Sequence, residues 1–125
     1  MKFLTMLKAL VTPAPRLTPV ECSARVRAGS ARLIDVREPG EWAGGVAEHA
    51  VLLPLSDLTG SRQQWQSFLA SHQGSELLLY CAAGGRSAIA ARLLAQEGFK
   101  AVNAGSLTEW RNSGWPIVPP AAAQG

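Results

Sequence analysis

The sequence predicts one α/β domain in which a parallel sheet is covered by helices on both faces. Its 125 residues match the usual size of a single domain. With 47% hydrophobic and 17% charged side chains, the chain can bury a real core, which excludes wholesale disorder. Segments with strand character alternate with segments of helical character, and the strands are unbroken apolar runs. That pattern belongs to strands buried on both faces. No internal repeat or linker divides the chain.

The elements follow in order. Thr18-Pro19-Val20-Glu21 combines a helix N-cap, a proline at the first helical position and a glutamate that can close a capping box. A helix of about ten residues should follow and stop near Gly29. Ala31–Val36 is a short apolar run ending in charge, read as a buried strand. Pro39 starts a short helix through Trp42, ended by Gly44-Gly45. Ala50–Pro54 is a second strand closed by its proline. From Ser61 onward Trp65, Phe68, Leu69 and His72 share one helical face, with Gly74 as the stop. Leu77–Tyr80 is an all-apolar strand with Cys81 at its carboxyl end. The next helix carries Ala90, Leu93, Leu94 and Glu97 at helical spacing, capped by Gly98 with Phe99 placed for the accompanying apolar contact. A last strand over Ala101–Asn103 and a helix over Ser106–Asn112 complete the fold. Residues 1–16 are read as a loose arm or short flanking helix, 17–118 as the domain and 119–125 as a flexible tail.

Charge and cysteine content narrow the function. The net charge is +3, but residues 1–37 hold seven basic side chains against two acids, a local +5, so the remainder is −2. That balance is too mild for a nucleic-acid footprint and compatible with a small anionic substrate. No apolar run approaches the roughly 20 residues of a membrane span. Met1–Val11 is apolar behind Lys2, yet Lys8 interrupts it and Pro-Ala-Pro makes a poor cleavage site; a cytoplasmic protein is expected. Two cysteines, Cys22 and Cys81, are too few for a disulfide scaffold or a four-ligand zinc site. His49 and His72 have no companions at ligand spacing, so neither a metal nor a cofactor is expected. Cys22 reads as a small packing residue or a surface thiol in a helix, and Trp42, Trp65, Trp110 and Trp115 as packing residues. Arg25, Arg27 and Arg32 read as a solvated surface.

Cys81 differs. Ligands gather at the carboxyl ends of strands in open parallel sheets, and Cys81 is followed there by Ala82-Ala83-Gly84-Gly85-Arg86-Ser87 and a helix. The small residues let backbone N–H groups converge, and the helix adds its positive end. Arg86 supplies a cationic fork. Together these should lower the thiol pKa and stabilise negative charge on the sulfur, as a nucleophilic cysteine requires.

Cys81-Ala-Ala-Gly84-Gly-Arg86-Ser87 resembles the C-x-x-G-x-R-S loop of rhodanese (thiosulfate sulfurtransferase) domains. Leu33-Ile34-Asp35-Val36-Arg37-Glu38-Pro39-Gly40-Glu41-Trp42 is similar to that family's D-V-R-E-P-x-E-[FWY] block. Pro54-Leu55 matches its proline-leucine after the third strand. Gly105-Ser106-Leu107-Thr108-Glu109-Trp110 with Gly114-Trp115-Pro116-Ile117 resembles its closing motif. The blocks occur in the family order and cover roughly residues 17–118. The resemblance implies a three-layer α/β/α sandwich around a five-stranded parallel sheet. It also implies ping-pong transfer of a sulfane sulfur, from thiosulfate or a related anionic donor to a thiol or cyanide, with a protein acceptor possible, through a persulfide on Cys81. Ala82, Ala83, Gly84, Gly85, Arg86 and Ser87 would bind the substrate, Arg37 would line the pocket and Asp35 would give structural support.

The family's usual G-H-I-x-G-A is replaced by Gly44-Gly45-Val46-Ala47-Glu48-His49-Ala50, so its histidine is missing near Val46 and His49 lies about three positions later. A phosphatase loop, His-Cys-x5-Arg, is a poor match. Tyr80 stands for the histidine and only four residues separate Cys81 from Arg86. Two alternatives to sulfur transfer stay open: a non-catalytic interaction module, and arsenate reduction or phosphatase chemistry on the same scaffold.

Overall fold

A computed structural model describes residues 14–123. Residues 1–13 of the expected arm and the last two residues of the tail lie outside it. The described order is α1 (Pro19–Arg27), β1 (Ala31–Asp35), α2 (Pro39–Trp42), β2 (Val46–Ala47), β3 (Val51–Leu52), α3 (Leu55–Leu58) and α4 (Gln63–Ser71). It continues with β4 (Glu76–Cys81), α5 (Gly85–Gln96), β5 (Lys100–Ser106), α6 (Leu107–Asn112), β6 (Ile117–Val118) and a 3₁₀ turn at Pro120–Ala122. No helix among the described residues is long and apolar enough to cross a membrane.

Four strands form the main sheet in the order β3-β1-β4-β5, all parallel. This is one fewer than the five implied by the family resemblance. Beyond β5, a single parallel bridge between Arg16 and Asn103 occupies the edge, with Leu17 N–H donating to Asn103 O at 3.1 Å and Asn103 N–H to Pro15 O at 2.9 Å. Pro15 has no N–H, so the segment cannot extend into a full ladder from that residue. A second sheet, absent from the sequence reading, pairs β2 antiparallel with β6.

Alternation along β4 divides the core. Leu77, Leu79 and Cys81 face α3, α4 and α5, in a cluster with Ile34, Leu58, Trp65 and Leu94. Leu78 and Tyr80 face the other way, towards Cys22 of α1, Ala47 of β2, Trp110 of α6 and Trp115. The two thiols therefore lie on opposite faces of the sheet. All four indole N–H groups are engaged, those of Trp65, Trp110 and Trp115 with the carbonyls of Pro54, Ala104 and Glu48, and that of Trp42 with Asp35.

Local signals hold where they are chemical. The Thr18–Glu21 capping box forms, and Ala28 caps α1 before Gly29 at φ +77°. Helix α4 starts at Gln63 rather than Ser61, because the Asp57 carboxylate reaches across from α3 to accept Gln64 N–H at 3.0 Å and Trp65 N–H at 2.9 Å. At its far end His72 Nδ1 meets Phe68 O at 2.8 Å.

A buried carboxylate ties the layers together. Asp35, fully buried at the end of β1, accepts from the Arg37 backbone at 2.9 Å, the Tyr80 hydroxyl at 2.6 Å and the Trp42 indole at 3.2 Å. The Arg37 guanidinium grips it through Nε at 3.1 Å and Nη2 at 2.9 Å. Tyr80 in turn accepts from Ala47 N–H at 2.9 Å, and burial beside this carboxylate pushes its phenol pKa upward. Removing one member of a buried pair leaves the other charge uncompensated, at about 3–5 kcal/mol. Asp35→Ala should therefore lower unfolding free energy by about that amount in a denaturant titration. A loss below about 1 kcal/mol would show that the network contributes little.

Candidate functional site

Cys81 ends β4, and Gly84 turns the chain into α5. The turn requires a left-handed backbone at Gly84, φ +96°, which a glycine adopts without strain. It aims two backbone donors at the sulfur: Gly84 N–H at 3.0 Å and Ser87 N–H at 3.3 Å. The Ser87 hydroxyl stands 3.3 Å from Sγ and 2.8 Å from Asn103 Oδ1. It has one proton, so a thiolate and the asparagine carbonyl compete for it.

Only 1% of Cys81 is exposed. Burial alone pushes its thiol pKa up, but the donors of Ser87, Gly84 and Ala83 together outweigh that, and the net shift is downward. Cys22 shows the opposite outcome: buried in α1 without such donors, its thiol is pushed up to about 11. Two cysteines of similar burial are thus separated chemically by the Ser87 hydroxyl and the backbone N–H donors around one of them.

Asn103, which the sequence reading did not single out, braces the loop. Its Oδ1 also accepts Gly105 N–H at 3.0 Å, and its Nδ2 donates to Gly84 O at 3.3 Å. It reaches these partners because β5 carries one extra residue between its pairings Leu79↔Asn103 and Cys81↔Ser106. Gly105 sits in this bulge at φ +87°. A buried asparagine two residues before a glycine, inside an apolar strand, was the available signal.

The arginines are placed differently from expectation. Arg37 is 5% exposed and each of its guanidinium nitrogens is engaged, by Asp35 and by the carbonyls of Glu41 at 3.1 Å and Gly45 at 2.7 Å. It builds the scaffold beside Asp35 and offers no unengaged guanidinium nitrogen. Arg86 binds both Glu41 carboxylate oxygens, through Nη1 to Oε1 and through Nη2 to Oε2 at 2.8 Å. These bonds raise the Arg86 pKa and hold Glu41 down to about 2. With Glu41 depressed on folding, the pair persists above the unfolded glutamate range and is lost only as pH falls through about 2. Both side chains are about one-third exposed, so solvent screens the pair, which joins α5 to α2 more than it stabilises the fold.

Ala82, Ala83 and Gly85 are exposed, whereas Gly84 and Ser87 are buried beneath them. The missing family histidine corresponds to Val46, a buried residue of β2 paired with Val118. His49 lies in the turn beyond, at φ +72°.

A direct titration separates the thiols. Thiolate absorbance of Cys81 should rise at lower pH than that of a free cysteine, and well before that of Cys22 near 11. Ser87→Ala, which deletes one donor, should move the Cys81 midpoint upward. A Cys81 midpoint at or above the free-cysteine value would show that the loop donors fail to offset burial.

Residues 18–113 match the model of the rhodanese-like domain. An uncharacterized protein of Synechocystis is 35% identical over 88 residues; the match covers 69% of this chain but 46% of that protein, so the chain spans about half its length. Among solved structures, a rhodanese-related protein from Thermoplasma volcanium superposes with a TM-score of 0.70 at 27% identity, covering 83% of this chain and 97% of its own. A human single-domain sulfurtransferase gives 0.64 at 30% identity, with 79% and 96% covered. With the family model matched over residues 18–113, most of the described chain, the chain belongs to the rhodanese-like domain family.

Proposed function

We propose that the protein is a sulfurtransferase that carries a sulfane sulfur on Cys81. One observation supports this above the others: Sγ receives two backbone N–H donors and adjoins the Ser87 hydroxyl, so that a buried thiol is favoured as thiolate. A merely structural cysteine at a strand end has no use for converging donors; Cys22 has its pKa pushed in the opposite direction.

In the proposed reaction the Cys81 thiolate attacks the outer sulfur of thiosulfate. The S–S bond of the donor breaks, sulfite departs with the bonding electron pair, and a persulfide anion remains on Cys81. Cyanide or a thiolate then attacks the outer sulfur of the persulfide and regenerates the Cys81 thiolate. No redox partner or metal is needed for either displacement. The loop amides from Ala82 to Ser87 would cradle the added sulfur, and Arg86 orients the loop through Glu41. A cytoplasmic setting, where thiols stay reduced, suits such chemistry.

Incubation with thiosulfate should add the mass of one sulfur atom to the protein, and cyanide should remove it. Cys81→Ser should lose the adduct and reduce thiocyanate formation by at least about 10³-fold, as loss of a nucleophile does. An unchanged mass with thiosulfate and other sulfane donors would favour an interaction module, and turnover by Cys81→Ser would exclude the mechanism.

A further inference from the structure

Arg16 precedes the matched family region and stands beside the cysteine loop. The bridge to Asn103 fixes its backbone on the outer edge of β5. Its side chain is half exposed, and Nη2 alone binds both carboxylate oxygens of Glu109, at 2.8 and 2.9 Å. Among the described residues, Nη1 makes no hydrogen bond. It lies 3.5 Å from where a Cβ on Gly84 would stand, while Nη2 lies 3.2 Å from the corresponding point on Gly105.

Gly84 is the residue whose N–H donates to Cys81 Sγ at 3.0 Å. Following that bond and the glycine backbone, Nη1 is at most about 9.5 Å from the sulfur. A donor poised for attack has its outer sulfur about 3–3.5 Å from Sγ, and its anionic oxygens two bonds further out. With a further hydrogen bond of about 2.8 Å, that span reaches as far as Nη1 beside Gly84. The other two arginines of the region are differently committed: Arg37 is buried around Asp35, and both terminal nitrogens of Arg86 bind Glu41.

Building on the sulfur-transfer reading, we propose that Arg16 is the specificity residue that binds the anionic end of the sulfur donor, through Nη1, at the rim of the Cys81 loop. Glu109 positions it: its carboxylate fixes Nη2, and the same oxygen Oε1 accepts Ser106 N–H and hydroxyl at 3.1 Å, capping α6. The subsite therefore takes a small sulfur compound with a negatively charged oxygen group next to the sulfur that is transferred.

The test compares the full-length wild type with Arg16→Gln and Arg16→Lys. Two readouts are used: thiosulfate–cyanide kinetics, and the rate at which Cys81 is modified by a neutral and by a sulfonate-bearing alkyl methanethiosulfonate. Arg16→Gln should raise KM for thiosulfate about ten-fold, the worth of one charge-assisted hydrogen bond, with kcat little changed. It should slow the anionic reagent by a similar factor and leave the neutral one unaffected, and Arg16→Lys should recover part of the loss. Equal slowing of both reagents, or a fall in kcat with KM unchanged, would assign Arg16 a loop-bracing role and overturn the proposal. The reagents need no turnover, so a wild type without sulfurtransferase activity would still reveal an Arg16-dependent anion preference. In that outcome the rim site stands and the sulfur-transfer reading falls; loss of the preference with activity retained removes only the rim site.

Discussion

The buried carboxylate of Asp35 is the interaction on which the rest of the arrangement depends. It sits at the carboxyl end of β1 and joins four elements: β4 through Tyr80, α2 through Trp42, β2 through the Tyr80–Ala47 bond, and the β1–α2 turn through Arg37. A carboxylate with no solvent contact is tolerable only when its oxygens are fully engaged and its charge is matched. Asp35 meets both conditions with donors drawn from separate parts of the chain, so those parts cannot move independently. Arg37 passes the constraint on, because its guanidinium also grips the Glu41 and Gly45 carbonyls and thereby holds the C-terminal end of α2 and the turn after it. Glu41, so placed, meets Arg86 at the start of α5.

The cysteine loop is thus held from two sides by different chemistry. On one side the Asp35–Arg37 network positions α2, whose Glu41 grips Arg86. On the other, the bulge in β5 brings Asn103 and Gly105 under the loop, where Asn103 bonds Ser87 and Gly84. A backbone donor is useful to a thiolate only while it stays aligned, since such bonds weaken steeply with angle. Bracing at Gly84 and Ser87, the residues that donate to Sγ, is what keeps that alignment through a glycine turn with little side chain of its own.

Legibility in the sequence divided along physical lines. Elements specified by local chemistry could be read directly: the Thr18–Glu21 capping box, the Pro39 helix start, and the apolar run into Cys81. So could the cysteine loop, whose donors to Sγ lie close in sequence. What escaped was set by partners distant along the chain. The pairing of Val46-Ala47 with Ile117-Val118 joins two-residue strands too short to show any period. Arg37 reads as a pocket residue until Asp35 is seen to be fully buried beside it, and Arg86 reads as a free cation until Glu41, 45 positions away, is brought to it. Asn103 carried a weak signal, a polar side chain in an apolar strand, but what it would bond depended on the bulge. The edge position beside β5 went unread because one bridge and a proline-limited ladder leave no pattern in the residues.

Burial of Cys81 bears on the proposed chemistry in a way that its pKa alone does not. With 1% of Cys81 exposed, its sulfur favours attack on a small donor over a bulky one. Adding one sulfur moves the negative charge outward by about 2 Å, the length of an S–S bond. In the proposed persulfide the charge would then stand beyond the Gly84 and Ser87 donors, towards Ala82, Ala83 and Gly85, the exposed residues of the loop. Only Ala82, Ala83, Gly84 and Gly85 lie between Cys81 and Arg86, so this stretch puts no side chain longer than a methyl group beside the sulfur.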